Sequence, residues 1–113
     1  MLMRVGDATI VADQVETAFE RAARRRGLLG RDSLAPDAAL IIAPCNAVHT
    51  FFMRFAIDVV FVARDGSVVK VKRAVGPARM AASPGAFATV EFAAGAADRA
   101  GLAPGDVLAL VMK

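Results

Sequence analysis

Residues 49–66, HTFFMRFAIDVVFVARDG, decide the fold that this sequence predicts. From Phe51 to Ala63 the segment is almost entirely apolar, and it contains a single carboxylate, that of Asp58. Such a run is typical of a strand in the middle of a sheet, buried on both faces. Because burying a carboxylate is costly unless it is hydrogen-bonded or paired, Asp58 is either a structural ion pair or part of a site.

The same segment leads into a hairpin. Asp65 and Gly66 form a dipeptide that favours a tight β-turn. In the following residues, 67–75, Val69 and Val71 alternate with lysines, which indicates a strand with one buried and one solvated face. We predict that the strands on either side of this turn pair with each other.

A helix is predicted over residues 13–26. Asp13 and Glu16 have the spacing of a capping box, and apolar residues recur three and four positions apart after them. Arginines follow near the C-terminal end, where the helix dipole favours them. Gly27 is suited to terminate the helix.

The remaining predicted elements are short. Strands are predicted at 8–12, 39–43, 87–92 and 107–112, and a helix at 94–100. The predicted fold class is α+β, mainly β: a small barrel-like or strongly coiled, mostly antiparallel sheet with one N-terminal amphipathic helix and one short C-terminal helix. The length of 113 residues predicts a single domain over residues 1–113.

Composition excludes several classes of protein. The hydrophobic fraction is 57%, but no apolar run approaches the ~20 residues that cross a bilayer, and the N-terminus lacks the apolar core of a signal peptide. We therefore expect a soluble, cytoplasmic protein with no membrane partner. A single cysteine and a single histidine argue against a disulfide or a zinc site, and no cofactor is predicted.

The net charge of +3 is unevenly distributed along the chain. The basic residues form two clusters, Arg21, Arg24, Arg25, Arg26 and Arg31 in the first and Lys70, Lys72 and Arg73 in the second. Such clusters permit contact with nucleic acid. The first cluster is equally explained as the solvated end of the predicted helix.

Three ordered blocks of the sequence resemble a known family. They are RRRGLLGRDSL (24–34), HTFFMRFAIDVVFVARDGSVV (49–69) and VEFAAGAADRAGLAPGDVL (90–108). In that order they are similar to the motif blocks of the bacterial and archaeal domain of unknown function 192, also known as uncharacterised protein family 0127. The resemblance covers residues 15–110. It implies a compact β-rich fold and brings no established activity.

The central block of that family usually reads Phe-Trp-Met-Lys-Asn-Thr before an apolar pair and an aspartate. The matching positions are Phe51, Met53, Arg54, which keeps the charge of the lysine, and Asp58, and the departures are Phe52 for the tryptophan, Phe55 for the asparagine and Ala56 for the threonine. This chain therefore lacks the amide and the hydroxyl of the family motif.

Asp58 requires a partner inside the apolar strand. Arg54 lies four residues earlier on the same strand face, so a bond between them requires a bend in the chain. Arg25 and Arg31 are the alternatives. In the structural interpretation, the ion pair holds the glycine-rich segment after the predicted helix to the sheet; in the other interpretation, Asp58 contacts a ligand.

Three more polar residues are candidates for chemistry. His49 is suited to acid–base work, and with Cys45 it could form a pair that generates a thiolate nucleophile; alternatively, it is a loop residue bonded to backbone. Glu91 shares a strand face with Thr89. If that strand adjoins the central one, Glu91 brings a second carboxylate near Asp58 or accepts a bond from Arg54.

The favoured function is a non-enzymatic module that binds a small molecule or a peptide in a cleft beside residues 49–58. Its predicted ligand-binding residues are His49, Phe51, Phe52, Met53, Arg54, Asp58 and Glu91. One alternative is a nucleic-acid-binding, transcription-regulator-like protein that uses the basic clusters. The other is a small hydrolase-like enzyme that uses His49 with Asp58 or Cys45. The predicted assembly is a monomer or a homodimer.

Overall fold

The computed structural model describes residues 1–111. Its elements in chain order are β1 (Leu2–Arg4), β2 (Ile10–Ala12), β3 (Gln14–Ala18), α1 (Arg21–Arg26), β4 (Ala38–Ile42), β5 (Ala47–His49), β6 (Ile57–Val62), β7 (Val68–Val75), β8 (Met80–Ala82), β9 (Ala88–Ala93), α2 (Ala96–Ala100) and β10 (Leu108–Leu110). The α+β, mainly β class is confirmed. In these residues, neither helix is long and apolar enough to span a membrane.

A five-stranded sheet forms the centre of the molecule, in the order β3-β4-β9-β6-β7. Its neighbouring strands are antiparallel except for the parallel pair of β3 and β4. Every residue of β6 is buried, and so is almost every residue of β9, as expected for apolar strands in the middle of a sheet. The predicted pairing across Asp65 and Gly66 is confirmed as the β6–β7 hairpin.

Each face of the central sheet packs against a separate apolar layer. One face, which includes Val60 and Phe92, packs against the three-stranded sheet β10-β1-β2 and α2. The other face, which includes Val59 and Phe61, packs against the segment that follows α1 and the two-stranded ribbon of β5 and β8. A polar side chain on β6 or β9 therefore enters one of two different environments.

Within residues 1–111 the strands do not close into a barrel, so that part of the predicted fold is wrong. Strands β3 and β7 are the two edges of the central sheet and do not pair with each other. A closed barrel filled by side chains has about eight strands. Here only five strands share the central sheet, and the others form the three-stranded sheet and the ribbon.

The predicted N-terminal amphipathic helix over residues 13–26 is also wrong, since only Arg21–Arg26 are helical. Gln14–Ala18 form β3, which pairs with β4 at five positions. The Asp13 N–H donates to the Asp37 carbonyl (2.9 Å), so Asp13 leads from β2 into β3 and does not cap a helix. Tertiary pairing prevails here because short isolated helices are marginal in water. The predicted C-terminal helix is confirmed as α2.

Gly66 is required by the β6–β7 turn. Its φ is +90°, and a β-carbon at this position would lie 2.2 Å from the Leu108 carbonyl oxygen. The Leu108 N–H also donates to the Gly66 carbonyl at 2.9 Å. The turn therefore joins the central sheet to β10, and a side chain would break that contact.

Asp58 is buried on β6, with 1% of its surface exposed. Three backbone amides donate hydrogen bonds to its carboxylate. Oδ1 accepts from the Ala74 N–H of β7 at 2.8 Å, and Oδ2 accepts from the N–H groups of Gly95 and Ala97, at the start of α2, at 3.0 Å each. The carboxylate thus ties β7 and α2 to the central strand.

The prediction that an arginine is the partner of Asp58 is therefore wrong. Arg54 pairs with Asp32 on the surface (Nη1 to Oδ1, 2.5 Å), and Arg31 pairs with Glu16 (Nη1 to Oε2, 2.6 Å). Backbone N–H groups are good donors to a buried carboxylate and leave no second charge to desolvate. Asp58 is therefore bonded to backbone amides of β7 and α2, and the predicted ion pair with the glycine-rich segment is absent among the described residues.

We predict that Gly66→Ala lowers the free energy of unfolding by about 2 kcal/mol or more, because the added methyl group collides with backbone in a strained conformation. Gly85→Ala is the matched control, since nothing lies within 4 Å of a β-carbon there and its φ is not positive. Chemical denaturation measures both variants. Equal stability of the two variants would contradict this account of the turn.

We predict that Asp58→Asn lowers the free energy of unfolding by about 3 kcal/mol, because the amide nitrogen of asparagine faces backbone donors that the carboxylate had satisfied. Asp32→Asn, which alters an exposed ion pair, should change it by less than about 1 kcal/mol. Thermal and denaturant unfolding of the two variants provide the comparison. A wild-type stability for Asp58→Asn would rule out the structural role.

Candidate binding site

A pocket of about 430 Å³ lies on the face of the central sheet opposite to the Asp58 carboxylate. Its walls are α1 with the first residues after it, the connection from β4 to β5, β5 itself and Met53, and Glu91 of β9 also lines it. Sites for small molecules usually measure ~300–1,000 Å³. The pocket is therefore large enough for a small organic ligand.

The wall between β4 and β5 is fixed to β9 by hydrogen bonds. The Cys45 N–H donates to the Phe87 carbonyl at 2.9 Å, and the Thr89 hydroxyl donates to the Cys45 carbonyl at 3.1 Å. Pro44, which follows a cis peptide bond, turns the chain away from β4 just before this point. These contacts hold Cys45 and the residues after it at the edge of the pocket.

Glu91 is the buried polar group of the pocket, with 3% of its surface exposed. Its neighbours in register on the adjoining strands are Leu40 and Val59, both apolar. Within residues 1–111 no group donates a hydrogen bond to its carboxyl and no cation pairs with it. Burial without such compensation raises the pKa of Glu91 to about 7, because the charged form is poorly solvated.

Gly27 lies beside the Glu91 carboxyl, where α1 ends. A β-carbon at Gly27 would be 3.8 Å from Glu91 Oε1. The φ of Gly27 is +48°, and its N–H donates to the Ala23 carbonyl. The absence of a side chain here keeps the space next to the carboxyl open.

The rim of the pocket is strongly basic. Four arginines of α1 line it, namely Arg21, Arg24, Arg25 and Arg26. Arg24 donates to the Phe19 carbonyl, whereas the guanidinium groups of the other three have no hydrogen bond or ion pair among the described residues. A rim with one sign of charge over a low-dielectric wall concentrates the field and attracts anions.

Three of the seven predicted site residues, His49, Met53 and Glu91, line this pocket, and so does Cys45. His49 lies on β5 at the exposed edge, Met53 is buried in the wall, and Glu91 comes from β9. The pocket thus lies beside His49 and Met53, and the binding role of these residues stays a prediction.

The other four predicted site residues lie elsewhere. Phe51, Phe52 and Arg54 do not line the pocket because the chain turns outward after the buried Thr50, whose hydroxyl donates to the Gly76 carbonyl at 2.6 Å. Phe52 has a φ of +66° and is 90% exposed. Asp58 occupies the opposite face of the sheet.

Glu91 and Asp58 are therefore not neighbours, contrary to the expectation of two adjacent carboxylates. Asp58 is paired in register with Phe92, and Glu91 with Val59. Side chains of successive residues in a strand point to opposite faces. The central sheet separates the two carboxyl groups, and no ion pair joins Glu91 to Arg54.

The polar residues of the hydrolase alternative are not assembled into a catalytic pair. His49 has no hydrogen bond to Asp58 or Cys45; its ring lies 5.4 Å from that of Phe51, measured between centroids. The Cys45 thiol donates to the Ala47 carbonyl at 3.2 Å. In residues 1–111, no three histidine, cysteine, aspartate or glutamate side chains are placed to hold a metal ion.

Sequence reasoning missed the contribution of α1 to the pocket. The arginine cluster was interpreted as either a solvated helix end or a nucleic-acid contact, and neither interpretation places it beside Glu91. The sequence feature that indicates this contribution is Gly27, which follows the arginine cluster directly. A glycine at this position allows the end of α1 to lie close to the central sheet.

We predict that stability falls as the pH rises from about 4.5 to about 7 because of Glu91. The folded state binds this proton more tightly than the unfolded chain, so ionisation favours unfolding, by about 3 kcal/mol in total. Glu91→Gln should remove this contribution and be more stable than the wild type above pH 7. Urea unfolding across this pH range tests the prediction.

Glu20→Gln is the control for this experiment, because Glu20 is exposed next to α1. That variant should keep the pH dependence of the wild type. A Glu91→Gln variant with the same slope as the wild type would show that the carboxyl has a partner.

Solved structures from two bacteria are similar to this one. A protein from Sinorhizobium meliloti 1021 that is described as a proposed transcription regulator is 25% identical, with a TM-score of 0.78 over 84% of this chain and 79% of its own. A protein of unknown function from Novosphingobium aromaticivorans DSM 12444 is 22% identical, with a TM-score of 0.81 over 96% of this chain and 83% of its own. The second likeness concerns the fold alone.

No curated protein matches the chain significantly. The model of the DUF192 family, described as Uncharacterized ACR, matches residues 2–110. This match extends over nearly all of the 113 residues and confirms the resemblance drawn from the three sequence blocks. The chain belongs to the DUF192 family.

Proposed function

We propose that this protein is a non-enzymatic binding module for a small organic anion, which it holds in the pocket between α1 and β9. The observation that carries the proposal is that three arginines at the rim of a pocket of this size have no partner among residues 1–111. Arginine pairs with carboxylate and phosphate groups through two parallel hydrogen bonds. An anion would supply the partners that these side chains lack.

The lining of the pocket indicates that the ligand also has an apolar part. Leu28, Ile42, Val48 and Met53 contribute apolar surface below the arginine rim. Small-molecule sites usually combine such a surface with a few polar groups that fix the orientation of the ligand. A metabolite with a short hydrocarbon portion and one acidic group fits this description better than an extended peptide does.

Nucleic-acid binding is less well supported by the positions of the basic clusters. The first cluster lies on and after α1, beside the edge strand β3, and the second lies on the opposite edge strand, β7. Four strand spacings separate these edges, roughly 19 Å. Arg73 is already paired with Asp98, and Lys70 donates to the Ala82 carbonyl. A regulatory role is the second candidate function, because the similar Sinorhizobium protein is described as a proposed transcription regulator.

The hydrolase alternative is less well supported for a different reason. A nucleophile and its base are usually within hydrogen-bonding distance of each other, or joined by one water. The Asp58 carboxylate is occupied by three amides, and no hydrogen bond joins His49 to Cys45. We propose the cytoplasm as the compartment, because the single cysteine of the sequence cannot form a disulfide within the chain.

The double variant Arg21→Gln/Arg25→Gln tests the proposal with hexanoate as the probe, since hexanoate has one carboxylate and a short chain. We expect NMR titration of the wild type to shift amide signals of the pocket residues, and the double variant to bind at least 10-fold more weakly, or about 1.4 kcal/mol. The two arginines lie one helical turn apart.

The control is Lys72→Gln/Arg79→Gln, which removes the same charge from exposed positions outside the pocket. It should bind hexanoate as the wild type does. If both double variants weakened hexanoate binding equally, the effect would be one of net charge and not of the pocket arginines. If hexanoate shifted no amide signal of the pocket residues, the proposed function would be rejected.

A further inference from the structure

The pocket also contains an acidic group, Glu91, that has no partner among residues 1–111. The Glu91 side chain is 3% exposed, its carboxyl lines the pocket beside Gly27, and it has no hydrogen bond among the described residues. A buried polar group usually has a hydrogen-bond partner in the protein, in ordered water or in a bound molecule. A simple anion would satisfy the arginines but would leave this carboxyl without a partner.

The arginines of α1 do not neutralise Glu91 themselves. No ion pair joins any of them to the carboxyl. The charged or titratable groups that face Glu91 across the pocket are Arg21, Arg24, Arg25 and Arg26 from α1, Cys45 from the β4–β5 connection and His49 from β5. The strands beside it present only the apolar side chains of Leu40 and Val59.

We propose that the ligand is a small zwitterion whose ammonium group binds the Glu91 carboxylate while its acidic group binds the arginines at the rim. This inference rests on the proposed anion-binding function and specifies the class of ligand. An ammonium group offers three donors and a full charge, so it supplies what the carboxyl lacks. An amino acid or an ω-amino acid has both groups on a chain short enough for the pocket.

The proposal fixes the sign of a pH effect. Glu91 is mostly protonated at about pH 5.5 and mostly ionised at about pH 8, because burial raises its pKa to about 7. Only the ionised form attracts an ammonium group. The preference for a ligand with an amine over the same ligand without one should therefore increase with pH.

The experiment compares hexanoate with 6-aminohexanoate and norleucine, which add one ammonium group at the far end of the chain or next to the carboxylate. Dissociation constants are measured by NMR titration of the full chain at about pH 5.5 and about pH 8. Histidine also gains a proton as the pH falls through this range. The quantity compared is therefore the dissociation constant of hexanoate divided by that of an amine-bearing probe at the same pH. This ratio cancels any change in carboxylate binding that the probes share.

At pH 8 we expect the better of the two amine-bearing probes to bind about 10-fold more tightly than hexanoate. At pH 5.5 we expect the dissociation constants of that probe and of hexanoate to become nearly equal. Glu91→Gln, which keeps the size of the side chain, should lose this preference at both pH values and still bind hexanoate. Glu20→Gln, an equal change of charge beside α1, should retain the preference.

Equal affinity for hexanoate and both amine-bearing probes at pH 8 would overturn the zwitterion proposal, and so would a preference that persists in Glu91→Gln. In these cases the binding of hexanoate, weakened by Arg21→Gln/Arg25→Gln, would leave the proposed function standing. Failure of all three probes to bind would reject the proposed function and this inference together.

Discussion

The carboxylate of Asp58 is the interaction on which the arrangement of the molecule depends. It accepts backbone hydrogen bonds from Ala74 in β7 and from Gly95 and Ala97 at the start of α2, so one buried group connects three elements. A charge that is compensated by amide dipoles needs no second buried ion. It also fixes β6 in register, because a shift by one residue would turn Asp58 to the other face. Glu91 of the neighbouring strand consequently faces the pocket.

Much of the fold was predictable because the decisive patterns are local. The buried runs that became β6 and β9 and the turn at Gly66 are specified by residue type and spacing within a few positions. The helix predicted over residues 13–26 failed because pairing of Gln14–Ala18 with β4 is a contact between distant parts of the chain. Local pattern cannot reveal such a contact, and it also did not reveal the three-residue strands β1, β5 and β8.

The site was less predictable than the fold, because a site combines segments that are distant in sequence. The segment at 49–58 contributes His49 and Met53, but the outward turn after Thr50 removes Phe51, Phe52 and Arg54 from the pocket. The arginine rim and Glu91 meet where α1 ends at Gly27, beside β9. Alternation along β9 had already placed Glu91 on the face of Thr89, and the register with β6 decides that this face is not that of Asp58.

The central contrast is between two acidic side chains on adjacent strands: Asp58 is compensated by amides, whereas Glu91 has no partner among residues 1–111. The most direct measurement is the titration of the Glu91 side-chain carboxyl by ¹³C NMR in the unliganded protein. The account predicts a midpoint near 7, since burial raises the pKa of this group to about 7. A midpoint at the ordinary value of 4.5 would contradict it, because the carboxyl would then be solvated or paired and no ligand cation would be required.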